Sequence, residues 1–176
     1  GAGEGFVDEQ GRPEVFRTPG YPLLLAAADR LGGVRTLLAL QVLLDIGLVA
    51  VTFVLASRLT TTTSAGWAMF FQAVSPLAIA ASCRLLTDSL FAFLLGMSVL
   101  CWLRADREDR ELSLMACALL ISAACYIRPV GVLVVGIFAG GTLFTSRGIR
   151  RFLLFACVAF IALGPWFVRN EKQADY

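Results

Sequence analysis

The sequence predicts an all-α membrane protein: a multi-span helix bundle of about six transmembrane spans, with one short interfacial helix in the first outer loop. Long apolar runs recur between short charged clusters, as spans joined by tight loops do. Of the 176 residues 58% are hydrophobic and only 16% charged, and the mean hydropathy is +0.77, which is too apolar for a surface solvated by water alone. Arginines also gather in alternate loops, the asymmetry that orients spans in a bilayer.

Residues 1–33 form the outer loop and 34–176 the transmembrane bundle. From Gly1 to Phe16 the chain is polar and follows neither a helical nor a strand period, which predicts a loop. A helix can begin with Thr18 as N-cap and Pro19 at its first position, and Gly32-Gly33 should stop it. Its length of roughly 20 Å falls short of a hydrocarbon core of about 30 Å, so it should lie in the interface. Six spans are predicted near 36–57, 64–82, 88–103, 112–127, 129–145 and 151–168. Several are short and fit a narrowed bilayer or ends covered by protein. Pro76 should kink or break the second span, and Gly164-Pro165 should do the same near the end of the sixth. The run Thr60 to Ser64 reads as a turn whose last hydroxyls cap the second span.

Arg58, the group Arg104, Arg107 and Arg110, and the group Arg147, Arg150 and Arg151 mark one set of loops, against Arg84 and Arg128 in the alternate set. The first set should face the cytoplasm, leaving residues 1–33 and the C-terminal tail on the outer face of a cell (inner or plasma) membrane. Arg12, Arg17, Arg30, Arg35, Arg169 and Lys172 run against this count unless they serve a site on that face. Asp106, Glu108, Asp109 and Glu111 read as solvated loop charges. The chain begins at Gly1 without a signal peptide and stops just past an apolar run, so both ends read as cuts from a longer protein.

A net charge of +2 with no basic tract argues against nucleic acid as a partner. The five cysteines show no paired spacing and read as inert core residues rather than disulfide or metal partners. With no histidine, chemistry here must rest on carboxylates and arginines.

Threading the spans in order brings four polar groups to the outer face: 16–22, 84–89, 126–131 and 164–170. Each holds an arginine beside a proline or a helix start: Arg17, Arg84, Arg128 and Arg169. Guanidinium groups and free helix N-termini both suit phosphate oxygens, so together they can hold an anionic head group. Taken alone, each arginine is equally accounted for by snorkelling to lipid phosphate. Asp88 alone fits a dipole-complementing residue at a helix start, and Tyr126, Trp166 and Phe167 fit belt aromatics. Asp45 lies near the middle of the first span, where a carboxylate is costly and must face the bundle. It reads as part of a proton or ion path or as a structural hydrogen bond, for instance with Gln41 one turn away.

The run from Arg17 to Ala26, with Gly3-Glu4-Gly5-Phe6 upstream, resembles the first outer loop of GT-C class membrane glycosyltransferases, within the dolichyl-phosphate-mannose-protein mannosyltransferase and aminoarabinose transferase-like family. Gln41 to Asp45, Ser75-Pro76, Arg84 to Phe91, Arg128-Pro129 and Pro165 to Asn170 follow in the same order, so the resemblance covers nearly the whole chain. It implies transfer of a sugar, with inversion, from a polyprenyl-phosphate carrier to a lipid, glycan or protein acceptor at the outer face. Such a reaction needs a carboxylate for the acceptor proton and positive charge for the departing phosphate. In the family that carboxylate is usually an aspartate where an earlier span enters the outer loop, which implies that it precedes Gly1. Asp8 and Asp88 are the weak catalytic candidates within the chain, and Pro19, Gly20 and Tyr21 would shape the site. Where Asp88 stands the family often has glutamate, and some relatives carry a lysine near the place of Arg17 or Thr18. Relatives that bind a divalent metal use a histidine beyond this region, so the resemblance implies neither metal nor other cofactor here, with a metal possible in the full-length protein.

Two other classes stay open. A transporter or lipid flippase half would use Asp45 and the proline breaks as a midplane path. A structural membrane subunit would have no activity sensitive to the outer-face arginines.

Overall fold

A computed structural model describes residues 20–82, 87–145 and 147–174. Asp8, Arg17, Pro19 and Arg84 lie outside the described residues, as does the side chain of Tyr21. Among the described residues the chain is all-helical, with eight helices: α1 (Gly20–Leu31), α2 (Val34–Leu59), α3 (Thr62–Ala73), α4 (Pro76–Ser82), α5 (Asp88–Glu108), α6 (Glu111–Ile127), α7 (Gly131–Leu143) and α8 (Gly148–Ala174). Three of them, α2, α5 and α8, are long and apolar enough to cross a membrane.

Helix α1 has 12 residues and ends at the two glycines. Gly32 and Gly33 have φ of 141° and 71°, a left-handed region open to residues without a Cβ. This lets the Gly33 N–H return to the Ala28 carbonyl at 2.8 Å, which closes the helix with a six-to-one bond. Helix α2 then runs for 26 residues, about 39 Å. Thr61 caps α3 through its hydroxyl, which accepts from the Ser64 N–H at 3.3 Å, so the cap comes before the last hydroxyls of the threonine run.

Proline acts differently at its two internal positions. Pro76 ends α3: the chain leaves the helix at Val74 and restarts as α4, whose N–H of Ala78 donates to the Ser75 hydroxyl at 3.4 Å. Pro165, by contrast, does not break α8, which continues to Ala174. The sixth apolar run therefore becomes a helix of 27 residues that extends past the expected end near residue 168.

Contacts fix the helix directions. Ser89 at the start of α5 bonds Asp45 of α2, while Arg107 at its end donates to the Arg58 carbonyl at 2.9 Å, so α2 and α5 run parallel. The α3–α4 pair returns along α2, with α4 also touching α5. Helix α6 is the innermost: Leu114, Cys117, Ala118, Ile121 and Cys125 are fully or almost fully buried at helical spacing. The first four pack against Ala105 of α5 and against Phe155 and Ala159 of α8, and Cys125 against Leu163 and Trp166 of α8. Burial of Cys117 and Cys125 matches the core reading of those thiols, whereas Cys157 points outward from α8.

Outward from α6 the polarity is inverted relative to a water-soluble domain. Leu133, Ile137, Phe160 and Ile161 are each about seven-tenths exposed, and Phe144 is 92% exposed. An apolar surface this extensive is stable against hydrocarbon, not water.

Candidate functional site

The end of the bundle that holds the C-terminus of α6 collects the polar features. Gly20, the first residue of α1, sits directly on the last turn of α6: a Cβ placed there would collide with the Tyr126 carbonyl and the Ile127 side chain. Gly20 is therefore the residue that lets the start of α1 lie against this end.

Arg128 follows α6, with its N–H bonded to the Ala124 carbonyl at 2.9 Å. Extended backbone before Pro129 turns its side chain toward the start of α5. There its Nη2 forms an ion pair with Asp88 Oδ1, and its Nε donates to Thr87 Oγ1 at 2.9 Å. The guanidinium also lies over the Phe91 ring, 5.9 Å from its centre. These three partners lie within one turn of α5. The arrangement departs from simple snorkelling, because the charge is held against protein as well as solvent. It also gives Asp88 a specific partner in addition to the helix dipole.

Asp45 lies near the middle of α2, as expected, and the start of α5 comes level with it. Its Oδ2 accepts from the Ser89 hydroxyl at 3.2 Å, which puts it level with the first turn of α5. Helix α2 begins at Val34, about 16 Å before Asp45, and carries on for about 21 Å beyond it. Asp45, Gln72, Ser75, Asp88 and Ser89 supply the polar lining of a cleft of about 460 Å³ between α2, α4 and α5, with Leu48, Leu77 and Ala92 among its apolar walls. Gln72 was not singled out by charge or motif, and Ser75 and Ser89 stood only within motifs of the resemblance, with no cleft assigned to them. The one signal in the sequence was Pro76, because a broken helix leaves room where a straight one would pack.

Helix α8 reaches the same end through its second half. The Tyr126 hydroxyl donates to the Ala162 carbonyl at 2.8 Å, and Trp166 is buried against Cys125 and Leu163. Tyr126 and Trp166 therefore turn into the bundle, their rings 6.1 Å apart, whereas Phe167 is half exposed as a belt residue would be. Arg169 lies about 10 Å further along the axis than Ala162, with Nη1 at 3.5 Å from Asn170 Oδ1.

The opposite end is a network of ion pairs. Arg151 has a side chain only 5% exposed; it donates to the Ala105 carbonyl at 2.9 Å and to Asp109 at 2.6 Å, with Asp106 at 3.6 Å. Arg147 pairs with Asp109 at 3.1 Å and Arg150 with Glu111 at 2.9 Å. Asp106 and Asp109 stay about half exposed, as solvated loop charges do, and with Glu111 they also serve as ion-pair partners. Asp109 also turns the chain from α5 to α6, with φ of 50°.

Among the described residues no three or more His, Cys, Asp or Glu side chains gather as a metal site. Compared with protein families, with curated proteins and with solved structures, the chain finds no match.

Proposed function

We propose that the chain is the membrane scaffold of a GT-C class glycosyltransferase that moves a sugar from a polyprenyl-phosphate carrier to a lipid, glycan or protein acceptor at the outer face. The observation that supports it most is the meeting, at one end, of motifs far apart in sequence: Gly20 on the end of α6, and Thr87-Asp88 on Arg128. In this reading six passes cross the cell membrane, α3 and α4 together making the second, and the ion-pair network faces the cytoplasm. Residues 1–33 and the C-terminal tail are then outside.

Arg17, Arg84, Arg128 and Arg169 contact the carrier phosphate, whose charge rises as the sugar leaves. Asp88 holds Arg128 in place, and Pro19, Gly20 and Tyr21 shape the entry of the outer loop. Sugar transfer by the full-length protein from a radiolabelled polyprenyl-phosphate sugar tests this. Full turnover in both Arg17→Ala and Arg128→Ala would defeat the phosphate assignment. The transporter reading is favoured by one observation, the cleft beside the Pro76 break that contains Asp45. It requires substrate uptake or lipid scrambling in vesicles that is lost in Asp45→Asn.

A further inference from the structure

The end that carries the ion-pair network holds seven arginines and four carboxylates. The carboxylates are taken: Glu108 by Arg110 at 3.2 Å, Glu111 by Arg150, and Asp106 and Asp109 by Arg147 and Arg151. That leaves Arg58, Arg104 and Arg107, which pair with no carboxylate among the described residues. The parallel packing of α2 and α5 gathers these three. A Cβ on Gly47 of α2 would meet the Phe93 ring of α5, which fixes the level at which the two helices touch. Arg58 and Arg104 each stand eleven residues further on, three turns or about 16 Å along the same faces. Arg107 completes the group by donating to the Arg58 carbonyl at 2.9 Å. Arg58 is half-buried, and Arg104 and Arg107 are exposed.

Helix dipoles offset part of this charge. Helix α2 ends at Leu59 and α5 at Glu108, and each C-terminus carries roughly half a negative charge, so about two positive charges remain. We propose that Arg58, Arg104 and Arg107 form a site for a phosphate monoester, borne as the head of a membrane lipid of the phosphatidic acid class. Such a head carries a charge of about −1.5 to −2 at neutral pH and three strong acceptor oxygens, which guanidinium forks can engage in pairs. A phosphodiester head, with one negative charge, neutralises only half of the excess. The lipid is the source because the arginines stand where two helices long and apolar enough to cross a membrane end, at the level of a head-group layer. Arginines that merely snorkel would treat every lipid phosphate alike, so selectivity among heads separates a site from that simpler role. The inference rests on the membrane placement of α2 and α5, not on sugar transfer or on which end faces the cytoplasm.

Native mass spectrometry of the full-length protein with equimolar phosphatidic acid, phosphatidylglycerol and phosphatidylcholine of matched chains tests it. A single phosphatidic acid adduct should exceed the phosphatidylglycerol adduct about fivefold, the worth of one further charge at a membrane surface. Arg58→Gln and Arg104→Gln should each weaken it by about the same factor. Arg150→Gln, whose charge is spent on Glu111, should bind as wild type. Arg104 is exposed, so Arg104→Gln keeps the test valid if Arg58→Gln disturbs the end of α2. Equal adducts with phosphatidylglycerol and phosphatidic acid, or an unchanged adduct when Arg58 and Arg104 are both replaced, would overturn the proposal. Displacement of the lipid by equimolar glycerol 3-phosphate would also overturn it, because the ligand would then be a soluble phosphate. Sugar transfer measured on the same protein separates the two readings: transfer without the selective adduct defeats this site alone, and the adduct without transfer defeats the transferase alone.

Discussion

Replacing Arg128 by Gln removes three interactions that join the end of α6 to the start of α5. The ion pair to Asp88 involves side chains 38% and 43% exposed, so solvent screening limits it to about 0.5–1 kcal/mol. The bond to Thr87 Oγ1 at 2.9 Å contributes about 1 kcal/mol and the placement over Phe91 about 0.5 kcal/mol. Together these predict a destabilisation of about 2 kcal/mol, or roughly 4–8 °C in apparent midpoint for a chain of this size. Thermal unfolding in detergent micelles, followed by cysteine reactivity, would read this shift for Arg128→Gln, Asp88→Asn and the double variant. The double variant should lose less than the two single variants combined, with a coupling of about 0.5–1 kcal/mol. A single-variant shift below about 1 °C together with zero coupling would refute the reasoning. It would return Arg128 to the role of a side chain that merely seeks lipid phosphate.

Gly20→Val sets a branched side chain against the Tyr126 backbone, so α1 should detach from α6 at a cost of about 1–3 kcal/mol; faster hydrogen exchange across residues 20–31 would report it. At the opposite end, Asp109→Ala strips a partner from the buried Arg151 and should cost about 3 kcal/mol in unfolding assays, whereas Arg150→Ala, from a pair whose arginine is 68% exposed, should cost less than about 1 kcal/mol. Ser75→Ala removes the acceptor at the start of α4 and should lower stability by about 1 kcal/mol in the same unfolding assays.

Local chemistry made several features legible. The glycine pair ended α1 because only a residue without a Cβ takes positive φ freely there, and that constraint belongs to the residue itself. Pro76 broke its helix where expected because a missing N–H and a ring clash act within one turn. Pro165 carries the same chemistry, yet α8 continues through it, with Trp166 and the Ala162 carbonyl gripped by α6 on either side. Packing from a neighbouring helix outweighed the local penalty, which no window of sequence contains. Span boundaries were less legible than span existence: α7 is 13 residues and α8 27, because apolar side chains state what a helix avoids, not where it ends.

By itself, then, the sequence determined an apolar all-helical chain, the short first helix, the break at Pro76 and the grouping of arginines, since each follows from side-chain chemistry within a few residues. The tertiary structure alone decided partnership. It brought Asp45 level with Ser89, paired Arg128 with Asp88 across 40 positions of chain, and buried Arg151 among carboxylates that read as solvated. Electrostatic and hydrogen-bonding partners act over a few ångströms, and the distance between two residues in space is set by how the helices pack. That packing is also what turned an isolated carboxylate in an apolar run into one wall of a cleft.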